Sequence, residues 1–274
     1  MTILVAEIGW NFVGNLSLAK KMILAAKKSG ANAVKFQIWD PKFLKNGEWD
    51  YDGRRAIYKK AYLNEKKYKI LKKFSKQNSI ICFASVFNKD ALHMIKKIGD
   101  NWIKIPSHEA YNLELIELAF KKFNKVIISL GCLKRKELQK ILNFILKKKH
   151  YKKKAILLHC VSSYPLNPED CNFEKFDYIK KKFDNSGYSG HMSGIDDALL
   201  ALSKGATFVE KHFTINNNLP GRDNKFAILP HELKILSDYR NNLKKFKKKK
   251  GLGLLKCEKD IFKNYRGRWS KKIN

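Results

Sequence analysis

Short apolar runs rich in β-branched residues alternate with amphipathic stretches along most of the chain. Strands are predicted at 3–9, 31–37, 79–85, 101–107, 125–130, 154–160, 186–191 and 207–214. Apolar residues at helical spacing predict helices at 16–29, 64–77, 88–98, 112–123, 133–149, 173–183, 193–204 and 231–246. Strict strand–helix alternation argues for a parallel sheet, and eight units argue for closure into a single-domain (β/α)8 TIM barrel. The alternative is an open doubly wound sheet. Its Gly-rich phosphate fingerprint is missing, since Gly9 and Gly14 do not form G-x-G-x-x-G. Residues 38–63 form a long loop rich in turn formers and aromatics, placed to cover the strand-end face as a lid or substrate wall. The barrel is expected over 1–246, with 247–274 a basic, weakly periodic tail.

Composition narrows the class. The 274 residues suit one barrel, and 44% hydrophobic residues can build its core. No apolar run approaches the roughly 20 residues of a membrane span. The N-terminus lacks a basic region and carries Glu7 early, unlike a secretory signal. Five cysteines, widely spaced and without a Cys-x-x-Cys pair, fit a reducing cytoplasm better than a disulfide framework. The net charge of +32 suggests a nucleic acid or an anionic surface as partner. Yet only seven basic residues are arginine, and the lysines fall mostly on predicted solvent faces of helices. Compositional bias is the preferred reading, with no specific nucleic acid and no membrane as partner.

Polar residues gather where the predicted strands end: Glu7, Lys35, Gln37, Ser85, Lys104, Ser107, Ser129, His159, Ser162, Ser163, Tyr164, Ser189, His191, Lys211, His212 and Thr214. A closed barrel brings such ends to one mouth. Lys35 and Lys104, set within apolar sequence, join Ser85, Ser107 and Ser129 as a candidate anion cradle. The plainer alternative is a pair of structural ion pairs with Glu7 or Glu109. His191 and His212, ending adjacent strands, are a candidate metal pair with open positions for water and substrate. The alternative is a hydrogen-bonded core histidine. Glu109 is a candidate proton-transfer or water-positioning group, or else a carboxylate at a helix N-terminus.

The segments AEIGWN (6–11), AVKFQ (33–37), IKIPSHE (103–109), SLG (129–131), LLHCVSSYP (157–165), YSGHMSG (188–194), KGATFVEKHFT (204–214) and GRDNKF (221–226) resemble the N-acetylneuraminate (sialic acid) synthase family, which includes the legionaminic and pseudaminic acid synthases. The resemblance runs in order from Ala6 to about Pro230. It implies a (β/α)8 barrel that condenses phosphoenolpyruvate with a hexosamine-type aldose, giving a nonulosonic acid and phosphate. It implies that Lys35, Ser85, Lys104, Ser107, Ser129, Ser162, Ser189 and His191 line the phosphoenolpyruvate pocket. It implies that His191 and His212 hold a divalent ion, usually Mn2+, with Mg2+ the other choice. Gln37, Tyr164 and Asp223 match positions near the sugar, and Glu109, Lys104 and Lys35 are the expected catalytic groups.

The chain departs from the family pattern in four places. Phe12 and Val13 stand where a polar, sugar-facing pair is usual, which suggests an acceptor smaller or more apolar near its far end. The seventh strand ends Ser189-Gly190-His191-Met192 rather than Ser-Asp-His-Thr. Gly221-Arg222-Asp223-Asn224-Lys225-Phe226 replaces Gly-Pro-Asp-His-Ala-Phe. The tail, with YRGRWS at 265–270, resembles the remnant of a linker to an antifreeze-like domain that is absent. A homodimer or a separate antifreeze-like subunit is the expected partner. Competing readings are a barrel with lost or partner-dependent catalysis, and an aldolase using Lys104 as a Schiff base.

Overall fold

The computed structural model describes residues 2–47 and 53–269. Eight parallel strands close in sequence order into a barrel, from β1 through β8 and back to β1. They are β1 (Ile3–Gly9), β2 (Ala33–Ile38), β3 (Ile81–Val86), β4 (Trp102–Ile105), β5 (Lys125–Ser129), β6 (Ala155–Cys160), β7 (Ser186–Gly190) and β8 (Phe208–His212). The helices are α1 (Leu16–Lys28), α2 (Arg54–Ala61), α3 (Glu65–Gln77), α4 (Lys89–Lys97), α5 (Leu113–Lys122), α6 (Arg135–Leu146), α7 (Lys149–Lys154), α8 (Phe173–Lys182), α9 (Asp196–Ser203), α10 (Arg222–Phe226), α11 (Pro230–Phe246) and α12 (Lys259–Asn264).

Asparagine side chains cap four of the outer helices. Asn15, Asn64, Asn88 and Asn112 each accept a hydrogen bond from the backbone N–H three residues on, satisfying a donor that the first helical turn leaves unpaired. The 133–149 helix of the sequence reading is two pieces, because Lys148 takes an extended ψ of 102° and breaks it. The 38–63 loop contains α2, and its tip at 48–52 lies outside the described residues.

Side chains alternate across each strand, so the barrel interior fills in layers two residues apart. The lowest layer is apolar: Val5, Ala33, Phe83, Ile127, Ile156, Leu158 and Phe208 form one buried cluster, with Ile3 and Trp102 against it. Two residues towards the strand C-termini, the same inward face carries Glu7, Lys35, Ser85, Lys104, Ser129, Cys160 and Glu210. Two residues further stand Gln37, Phe87, Pro106, Ser162, His191 and His212. An apolar plug thus closes the bottom, and polar groups fill the top.

The chain divides into two compact units, Met1–Arg240 and Asn241–Asn274. The first contains the whole barrel. In the second, Glu258 accepts the Leu255 N–H at 2.7 Å ahead of α12, and Leu252, Ile261, Phe262 and Trp269 are exposed. Of the YRGRWS segment, Ser270 lies outside the described residues. No described helix is long and apolar enough to cross a membrane.

Candidate active site

The polar layer borders a cavity of about 1010 Å³ at the C-terminal ends of the strands. Glu109, Lys104, Lys35, Ser85, Ser107, Ser129, Ser162, Ser189, His191, Gln37, Tyr164, Asp223 and His212 all line it. The structure therefore brings to one chamber all the residues that the family resemblance assigns to the phosphoenolpyruvate, metal and sugar sites.

The two lysines are not bare cations. Lys35 Nζ lies 2.6 Å from Glu7 Oε2, and Lys104 Nζ lies 2.5 Å from Glu210 Oε1, which is also 3.7 Å from Lys35. All four side chains are at most 4% exposed. The ion-pair alternative thus holds for Lys35 with Glu7, whereas Lys104 pairs with Glu210 and not with Glu109. The cluster is electrically balanced. Burial raises the Glu7 carboxyl, and Lys35 opposes it. Burial also works to raise Glu210, but Lys104 and then Lys35 outweigh it and hold that carboxyl below its usual range. Burial lowers the Lys104 ammonium.

Hydroxyls extend the cluster. Lys35 donates to Ser85 Oγ at 2.6 Å, Lys104 to Ser189 Oγ at 3.3 Å, and Ser162 to Ser107 Oγ at 2.8 Å. Ser129 Oγ is buried and has no hydrogen-bond partner among the described residues. Gly131 lets the last two serines meet: a Cβ there would stand 2.6 Å from Ser162 Oγ and 2.9 Å from Ser107 Cβ. The result is a pocket of cations and hydroxyls at the depth where an anion would enter.

His191 and His212 face each other with ring centroids 5.5 Å apart. The backbone carbonyl of Val161 accepts from His191 Nδ1 at 2.7 Å, which fixes the tautomer and leaves Nε2 with its lone pair. Burial pushes His191 down to about 3 and His212 well below its ordinary value, so both rings are neutral at physiological pH. His212 Nδ1 is buried 3.5 Å from Asp223 Oδ2, and neither it nor Asp223 Oδ1 has a hydrogen-bond partner among the described residues. Burial pushes Asp223 up to about 6, against the pull of Arg222. Two neutral imidazoles with an underused carboxylate behind one of them are a donor set that fits a borderline divalent ion. Among the described residues, no three His, Cys, Asp or Glu side chains are placed to hold a metal by themselves. A two-histidine site would leave the other positions to water and substrate.

The mouth has walls of its own. Trp10, Trp39 and Tyr58 meet edge to face at 4.4 and 4.7 Å, and Phe87 continues the aromatic wall towards His108. The Tyr164 ring lies tilted 4.2 Å from the His191 ring, and the Arg222 guanidinium lies 5.1 Å from the Tyr164 ring centroid. Gln37 donates to Glu7 at 2.9 Å. Glu109 sits in the turn Ser107–Glu109, its carboxyl raised by burial and held by Asn112.

Several sequence expectations move. His159 points out of the barrel: its Nε2 bonds the Cys171 carbonyl at 2.8 Å, and its ring packs on Phe173 and Tyr188. Lys211 also faces outward, 2.9 Å from both oxygens of Asp197, so it is a buried structural ion pair behind the sheet. Both follow from strand parity, since their neighbours Leu158, Cys160, Glu210 and His212 point inward. Thr214 bonds locally to the Asn216 carbonyl and does not line the cavity. Phe12 is buried against Phe36 at 5.9 Å, and neither it nor Val13 borders the cavity. The apolar far end inferred from those two residues therefore has no structural basis. The sequence reading missed Glu210, Trp10 and Arg222. Glu210 was within reach, since it stands in register with His212 on the inward face of β8.

The profile of the NeuB family matches residues 22–251. N,N'-diacetyllegionaminic acid synthase of Campylobacter jejuni subsp. jejuni serotype O:2 is 32% identical, over 96% of this chain and 81% of that one. N-acetylneuraminate-9-phosphate synthase of Drosophila melanogaster is 32% identical, over 88% of this chain and 68% of that one. The crystal structure of the N-acetylneuraminic acid (sialic acid) synthetase of Leptospira borgpetersenii superposes with a TM-score of 0.82 at 33% identity, covering 99% of this chain and 93% of that one.

Proposed function

Because the chain belongs to the NeuB family, we propose that it condenses phosphoenolpyruvate with an amino-sugar aldose, using a divalent ion held by His191 and His212, to give a nonulosonic acid and phosphate. Its relatives are synthases of sialic-acid-like sugars, and this chain is an enzyme of that kind. The observation that carries the reading is one chamber with two chemically distinct ends. Balanced lysines and hydroxyls lie deep, and two neutral imidazoles lie at the lip.

Each group's task follows from its place. Lys35 and Lys104, with Ser85, Ser107, Ser129, Ser162 and Ser189, receive the phosphate and carboxylate of phosphoenolpyruvate. Glu7 and Glu210 keep the two ammonium groups paired until that anion arrives. A bound divalent ion, Mn2+ or Mg2+, would supply Lewis acidity to the aldehyde of the open-chain sugar. His191 stays a neutral donor because Val161 holds its Nδ1 proton. The methylene carbon of phosphoenolpyruvate attacks the aldehyde carbon, the carbonyl π pair moves to the aldehyde oxygen, which takes up a proton from solvent, and the new C–C bond leaves positive charge on the phosphate-bearing carbon. Glu7 and Glu210, freed from the lysines once the substrate anion binds, would stabilise that charge. Glu109 positions the water that adds there and takes its proton. The resulting tetrahedral carbon expels phosphate by C–O cleavage, and its hydroxyl proton leaves with the phosphate, so that the keto group remains. Gln37, Tyr164 and Asp223 orient the acceptor, so most of the rate comes from positioning and electrostatics.

Phosphate release, measured with phosphoenolpyruvate, Mn2+ and a panel of hexosamines, tests the proposal. Release that needs metal and acceptor together supports it. No release with any aldose, together with no metal binding, overturns it.

A further inference from the structure

We infer that Asp197 is a positioning residue for the histidine pair: through Lys211 it braces the ends of β7 and β8, which carry His191 and His212. The inference rests on the metal-assisted condensation proposed above. Asp197 stands in the first turn of α9, on the outer side of the sheet, and touches neither histidine ring itself.

The brace begins with strand register. Gly190 and Lys211 are cross-strand partners in β7 and β8, each one residue before a histidine. The Lys211 ammonium has three N–H groups and meets three acceptors: the Met192 carbonyl at 2.8 Å and both Asp197 carboxylate oxygens at 2.9 Å. Met192 directly follows His191. One side chain thus ties the peptide beyond the first histidine to the strand that carries the second. His191 has two other anchors: Val161 accepts from its Nδ1 at 2.7 Å, and the Leu166 N–H donates to its carbonyl at 3.0 Å. The His212 Nδ1 has no hydrogen-bond partner among the described residues, so the aim of that ring depends on its strand.

Asp197 is what holds the ammonium there. The Lys211 side chain is 3% exposed and that of Asp197 0%, so the charge cannot turn to water instead. Tyr188 donates to Asp197 Oδ2 at 3.1 Å and fixes the carboxylate from the strand side. A Cβ on Gly190 would run into Asp197 Oδ2 and the Tyr188 ring, and would stand 3.0 Å from Lys211 Cδ. The family pattern has its acid at that strand position, whereas here the place opposite Lys211 is filled from α9. A buried partner that orients ligand-bearing strands governs how well two imidazoles converge on one ion.

The test is calorimetric titration of the metal-free protein with Mn2+, for Asp197→Asn, Lys211→Met, their double variant and Asp100→Asn. Asp100 is the control: it forms a similar buried group with Lys72 and with the Tyr68 hydroxyl, 2.7 Å away, and among the described residues it has no bond to a histidine. Asp197→Asn should weaken Mn2+ binding by about 10-fold or more. Its rise in Tm on adding phosphoenolpyruvate should match that of the unmodified protein, because Lys35 and Lys104 are untouched. Asp100→Asn should lower Tm and leave Mn2+ affinity unchanged. The double variant leaves no buried charge unpaired, so it folds even where a single one does not. It should show the loss too, no larger than that of the weaker-binding single. Unchanged Mn2+ affinity in Asp197→Asn and in the double variant overturns the inference and leaves the condensation reading standing. An equal loss in Asp100→Asn does the same, as do additive losses, since Asp197 would then act apart from Lys211. Failure of the unmodified protein to bind Mn2+ overturns this inference together with the metal site of the proposed reaction.

Discussion

Glu210→Gln removes one charge from a buried group of four and keeps its shape. Glu210 Oε1 stands 2.5 Å from Lys104 Nζ and 3.7 Å from Lys35 Nζ, with its side chain 4% exposed. At an effective dielectric of 20, the nearer contact alone amounts to about 6–7 kcal/mol of attraction. Much of that already offsets the cost of taking both charges out of water. Removing one partner of a buried pair costs about 3–5 kcal/mol, because the other charge remains. The amide oxygen can still accept from Lys104, so the lower end applies. A loss of about 3 kcal/mol in a chain of this size lowers Tm by about 6–12 °C. The variant cluster carries a net positive charge, so an anion placed on Lys35 and Lys104 recovers more than it does in the balanced protein. Differential scanning fluorimetry should show a lower Tm for Glu210→Gln and a larger rise on adding phosphoenolpyruvate. A variant that melts with the unmodified protein and gains no more from phosphoenolpyruvate would refute the reasoning.

Three further outcomes are expected. His191→Gln and His212→Gln should each weaken Mn2+ binding by about 10- to 100-fold in calorimetry, and unchanged affinity would remove the histidine pair from the metal site. Gly131→Ala should cut phosphate release by at least 10-fold while far-UV circular dichroism stays native, because its Cβ would separate Ser162 from Ser107. Burial holds His159 at about 4, below its ordinary 6.5, so the unfolded chain binds a proton that the folded one refuses between those values. Its stabilisation is complete above pH 6.5 and is lost as pH falls towards 4, an effect of about 3 kcal/mol. Urea titrations at pH 7 and pH 4.5 should show a smaller pH effect for His159→Gln, and an unchanged one would contradict the burial argument.

The alternation of strands and helices was legible because each apolar run is short and bounded; the helix starts at Asn15, Asn64, Asn88 and Asn112 emerged only with the structure. The mouth was legible because polar residues interrupt those runs near their ends. Which polar residues face inward was harder. In TFVEKHFT, three adjacent polar residues look equivalent until the period of two is applied outward from Phe208. Glu210 and His212 then turn in, and Lys211 turns out to Asp197. The same rule, applied from Leu158, turns His159 outward. The acceptor side was not legible in this way, since Trp10, Tyr58 and Arg222 come from loops and short helices whose paths no strand period fixes. Phe12 misled for the same reason: it follows β1 in a turn, and only the packed structure sends it to Phe36.

The most direct test of the central claim uses phosphoenolpyruvate labelled with 18O in the bridging position, incubated with Mn2+ and the preferred aldose. The account predicts that label is released wholly in phosphate, and only when metal and aldose are both present. Label retained in the sugar acid, or phosphate released without any aldose, would contradict it.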